Sequence, residues 1–166
     1  MQKNYLQKLV ITNLKKIIDF YKLNSIAGFA QVIGIKSSTV KSWLSFDRCP
    51  KIKTLDNISD KLNIPTYFLF LENFLPTDEM IKPGIANDSS RALKNNLKKI
   101  YKNLDKNSWN EISSIYSGLL SIDTLKSYQR RDERSIMPPI KTLEKLSSYL
   151  GIPASEILKG DNDGEN

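Results

Sequence analysis

Apolar residues along the first part of the chain recur at helical spacing, not at the two-residue spacing of strands. Leu14, Ile17, Ile18 and Tyr21 fall at i, i+3, i+4 and i+7, one face of a helix. Ser25 is suited to cap a second helix, Ile26 to Ile33, which Gly34 would end in a left-handed conformation. Ser37 or Ser38 would cap a third helix carrying Val40, Trp43 and Leu44. Pro50 marks a loop. A fourth helix presents Leu55, Ile58 and Leu62 until Ile64-Pro65 stops it, and Thr66 to Leu71 begins a fifth. No alternating stretch bounded by turn residues appears, so the pattern predicts an all-α protein.

The pattern occurs twice. Asn13-Leu14-Lys15-Lys16-Ile17 returns as Asn96-Leu97-Lys98-Lys99-Ile100, 83 residues later. Thr39-Val40-Lys41-Ser42-Trp43 returns as Thr124-Leu125-Lys126-Ser127-Tyr128, and the block from Pro50 to Pro65 returns from Pro138 to Pro153, 88 residues later. Matching blocks in one order, separated by small insertions, point to a duplicated unit. The expected organisation is a first domain over 1–75, a linker over 76–90, a second, divergent domain over 91–160, and a disordered acidic tail over 161–166. Two prolines, a glycine and Asn87-Asp88-Ser89-Ser90 give the linker its composition, and the tail lacks apolar residues.

Charge follows the same division. Residues 1–75 hold eleven Lys/Arg against five Asp/Glu and residues 91–160 hold thirteen against seven, so each block is net +6. The joining segment and the tail are acidic, and the whole chain is +7. Basic blocks commonly meet polyanions, because Lys and Arg at phosphates release condensed counterions; a solvated lysine-rich surface gives the same count. With 40% hydrophobic and 26% charged residues the chain is expected to be globular. No apolar run suits a membrane span, and the N-terminus lacks the pattern of a secretory signal, so a cytoplasmic protein is expected.

The absence of histidine removes imidazole metal ligands and His-activated nucleophiles, and one cysteine excludes an internal disulfide or a multi-cysteine zinc site. Arg48 beside Cys49 would favour the thiolate, but no base accompanies it. The carboxylate pairs Asp56/Asp60 and Asp132/Glu133 lie among basic residues and read as surface charge. No catalytic residue, metal or cofactor is expected, and the protein is not expected to be an enzyme.

Ile26 to Trp43 resembles the helix-turn-helix of the phage Cro/CI repressor type, the XRE family. The resemblance rests on small Ala30 where two helices meet, Gly34 in the turn four residues on, branched Val40 six further, and large Trp43. It extends over about 13–72 and 96–158, with Leu62-Asn63-Ile64 and Leu150-Gly151-Ile152 matching the end of the family's fourth helix. It implies two five-helix Cro/CI-like domains in tandem, with the third helix of each in the DNA major groove. The residues that would meet double-stranded DNA are Lys36, Ser37, Ser38, Lys41 and Ser42 on the first such helix, with Arg48, Lys51 and Lys53 on phosphates. Ser37 serves equally well as a cap. In the second copy the corresponding residues are Ser121, Asp123, Lys126 and Ser127, with Arg130 and Arg131 nearby.

Two departures stand out. The family often has a phosphate-binding Gln at the start of its second helix, where this chain has Ile26 and Trp109. In the second copy the turn around Gly118 is two residues longer. The second unit could therefore read DNA weakly, form a homodimer or dock a partner. The expected function is a sequence-specific transcriptional regulator, a repressor of a phage or mobile element. The alternative, favoured by Ile26, Trp109, residues 67–75 and the long second turn, is a helix-turn-helix scaffold that binds a protein, as an inhibitor of a host defence nuclease or an antirepressor. Residues 67–75 read rather as a core between the two domains, with a homodimer contact as the other use.

Overall fold

The computed structural model describes residues 4–23, 25–103, 127 and 137–160. Among them are seven α-helices and no strand, so the described part of the chain is all-α. The first copy holds α1 (Tyr5–Phe20), α2 (Ile26–Ile33), α3 (Ser37–Leu44), α4 (Ile52–Lys61) and a 3-10 helix, η1 (Thr66–Phe70). A second 3-10 turn, η2 (Asp78–Met80), lies in the joining segment. The second copy contributes α5 (Ser89–Asn103), α6 (Ile140–Leu150) and α7 (Ala154–Leu158).

The first helix starts earlier than its apolar face suggests, at Tyr5, and buries Leu6, Val10, Ile11, Leu14 and Ile17. Ser25 caps α2 as expected, its hydroxyl accepting from the Gly28 amide at 2.9 Å. Gly34 ends that helix at φ 68°. The Ile35 amide donates to the Ala30 carbonyl and the Gly34 amide to Gln31, which satisfies the last turn. The third helix departs from expectation. Its N-cap is Lys36, and neither Ser37 nor Ser38 closes a side-chain cap. The fifth element is a 3-10 helix, because Pro65 fixes its start and Leu71 is already extended.

The repeat seen in the sequence reappears in atoms. Buried Asn13 donates its side-chain amide to the Leu69 and Leu71 carbonyls at the end of η1, at 3.1 and 2.8 Å. Asn96, which opens the matching block, donates to the Ile157 and Lys159 carbonyls at the end of α7, at 3.0 and 2.8 Å. The acceptors are 88 residues apart, as the sequence register requires. Asn63 and Gly151 likewise hold the same left-handed position after α4 and α6.

The joining segment folds back on α4. Asn87 donates to Asp60 through its amide and its side chain, at 2.7 and 2.8 Å, and accepts from the Thr66 amide at 2.7 Å. Met80 is buried. Ser89 and Ser90, expected in the linker, already form the first turn of α5. Leu69 and Phe70 of the first copy share one apolar cluster with Leu93, Leu143, Ile157 and Leu158 of the second. Residues Tyr67, Leu69, Phe70 and Phe74 are buried within the chain, whereas Leu75 is 77% exposed.

Candidate nucleic-acid interface

Helix α3 is amphipathic. Val40 and Trp43 are buried against α2, whose Phe29, Ala30 and Ile33 face them in the core. The opposite side carries Lys36, Ser37, Ser38 and Lys41, all exposed. Ser37 and Ser38 are exposed residues of the first turn, with Lys36 as the N-cap. Each can donate or accept, and Lys41 can reach a base edge or a phosphate.

Ser42 differs from the other residues on this helix. It is half-buried, and its hydroxyl donates to the Thr39 carbonyl at 2.8 Å. Only its acceptor capacity remains for a ligand. The turn after α3 is held by Phe46 at φ 65°, with the Lys15 ammonium 4.9 Å over its ring. The Arg48 amide donates to the Ser42 carbonyl at 3.0 Å, which leaves the guanidinium outside on an exposed residue. Asp47 is also exposed there and accepts from the Ser45 hydroxyl at 2.6 Å.

Lys51 and Lys53 are exposed at the start of α4. They line a groove of about 490 Å³ whose other wall is Pro138 to Lys141, the start of α6. The two walls are copies of one another: Pro50 pairs with Pro138, and Lys53 with Lys141. Cys49 also lines this groove, half-buried. Burial pushes its thiol up to about 11, against the sequence expectation that Arg48 would lower it. It is a neutral thiol at physiological pH and is not activated as a nucleophile.

In the second copy, Ser121, Asp123, Lys126, Arg130 and Arg131 lie outside the described residues, as do Trp109 and Gly118. Ser127 is described, half-buried and helical. The acidic tail 161–166 also lies outside. Among the described residues no helix is long and apolar enough to cross a membrane. No known protein family, no curated protein and no solved structure matches this chain.

Proposed function

We propose that this protein is a sequence-specific DNA-binding regulator, a repressor of a phage or mobile element, that reads duplex DNA through α3 of its first copy. The observation that carries the reading is the division of α3. Val40 and Trp43 anchor one side, while Lys36, Ser37, Ser38 and Lys41 stand exposed on the other; Arg48 in the following turn and Lys51 and Lys53 at the start of α4 are exposed as well. Side chains of this kind are what base edges and phosphates require, and a short helix held from behind suits the major groove.

The test is a gel-shift titration against the DNA upstream of the protein's own gene, repeated over a salt series. Binding that weakens steeply with salt and is reduced by Lys41→Ala supports the reading. A wild-type protein that shifts neither this DNA nor any fragment selected from random duplexes would remove it.

A second reading, a scaffold that docks a protein partner, draws on one observation. Ile26 at the start of α2 is 39% exposed, at a position where a DNA reader gains from a polar group. Partner binding through such a surface should change little with salt.

A further inference from the structure

The contacts between the two copies are reciprocal. Asp56 of α4 is buried and accepts the Ser89 amide at 3.3 Å and the Ser89 hydroxyl, at the start of α5. Glu144 of α6 is buried and accepts the Tyr5 amide at 2.9 Å, at the start of α1. Asp56 and Glu144 are 88 residues apart and occupy the same place in the repeat. The helix starts they receive, Tyr5 and Ser89, are equivalent to within one residue of the 83-residue register. The central contact joins η1 to α7, and these too are copies of each other. An arrangement in which patch A meets patch B and B meets A is isologous, the form of a two-fold dimer, here closed within one chain.

The groove between Lys51–Lys53 and Pro139–Lys141 belongs to this arrangement, since those two walls are the same segment taken from each copy; Asn4, Gln7 and the Glu144 carboxylate, which accepts from the Tyr5 amide, also line it. Both helices beginning there present the positive end of the macrodipole. Neither has a side-chain cap, and neither has an acid in its first turn. Lys53 and Lys141 occupy the second residue of each helix, where a cation is electrostatically disfavoured and an anion favoured. Each lysine there is electrostatically unfavourable to its own helix. Lys53 and Lys141 are both exposed and line this one groove, each from its own copy.

We infer that Lys141 is a contact to the DNA backbone and that one chain fills one DNA site, the internal two-fold carrying the basic edge Lys51–Lys53 across into the second copy. This rests on the DNA-binding reading above. It assigns the second copy a part in the interface through α6, whatever its own helix-turn-helix region does. The partner is duplex phosphate, recognised by charge and not by sequence. An acidic protein surface would meet the same cations, and failure to bind duplex in the test below is the outcome that would favour it.

The test uses the full chain and three variants: Lys141→Glu, Lys53→Glu and the control Lys94→Gln on α5. All three positions lie at or near the surface, so each variant should fold; a thermal melt checks this. For Lys141→Glu the melting temperature should be unchanged or raised, because an acid suits a helix start. Its affinity for an upstream duplex should fall at least tenfold, and the slope of log affinity against log salt should drop by about one, as for Lys53→Glu. The control should retain its slope. Native mass of the wild-type complex should give one chain per duplex, and the free protein should be monomeric.

Wild-type DNA binding that Lys141→Glu leaves intact, while Lys53→Glu lowers it, would overturn the assignment of Lys141 and spare the DNA reading. Two chains per duplex would overturn the single-chain arrangement. A wild-type protein that binds no duplex would take down both this inference and the reading beneath it.

Discussion

Asp56 and Asn13 carry the polar logic of the core. Burial raises the Asp56 carboxyl above the ordinary aspartate range, only partly offset by the hydrogen bonds from Ser89. The folded state therefore holds a proton more tightly than the unfolded chain. As pH falls from neutral through the raised value, the folded state takes up the proton first, so this group adds stability until the unfolded chain is protonated too. Asp56→Asn keeps an acceptor for Ser89 and removes the charge. It should match or exceed wild-type stability at pH 7 and lose this stability gain on mild acidification, as denaturant melts at stepped pH would reveal. Asn13→Ala leaves the Leu69 and Leu71 carbonyls without their donor inside the core. A loss of about 1–3 kcal/mol is expected in urea unfolding, with a similar loss for Asn96→Ala. If α3 reads DNA as proposed, Lys41→Ala should weaken binding by about 1–3 kcal/mol and Lys126→Ala by less, because the sequence around Gly118 is two residues longer than the first turn. Equal losses in a direct titration would make the two lysines equivalent contacts.

The pair α2 and α3 depends on its turn. A Cβ added at Gly34 would meet nothing within 4 Å, so crowding is not what excludes other residues. The cause is φ 68°, a conformation that side chains, and β-branched ones most of all, resist. Gly34→Ala should cost about 1 kcal/mol and Gly34→Val more. Ala30 is 2% exposed between the helices, and Leu there overpacks the contact by about 1–3 kcal/mol. Thermal melts of the three variants should rank in that sense, with DNA affinity following stability. A Gly34→Val protein as stable as wild type would remove the left-handed turn from the account.

Across the whole molecule, the segment from Pro76 to Ser90 decides how the copies relate. Its composition is that of a flexible linker, yet Asn87, Ser89 and Met80 are pinned to Asp60, Asp56 and the core. The two copies are thus held at one separation. A DNA site for this protein should accept a single spacing between its two halves. Inserting two or five base pairs at the centre of a footprinted site should abolish binding by the second half. The footprint should also be asymmetric, because the loop sequences of the two copies differ.

The helical periods, the Ser25 cap, the Gly34 stop and the duplication were all legible in the residues, because each depends on local geometry or on repetition within the chain. Asn13 and Asn96 were visible as a repeated letter, but their role was not, since their acceptors lie some sixty residues away. The same holds for Asp56 and Asp60, which read as surface charge and turned out to bind the start of α5 and the joining segment. Ser37 and Ser38 could have been caps; the backbone chose Lys36 as the N-cap and left both hydroxyls exposed. Lys141 was within reach, since the 88-residue register maps Lys53 onto it. What no sequence pattern contained was that the two segments face one groove. Periodicity records which residues turn inward in each copy. Only the packing of η1 on α7, with the exchange of Asp56 and Glu144 between helix starts, determines how one copy is set against the other. Those contacts span the two copies, and local spacing carries no information about them.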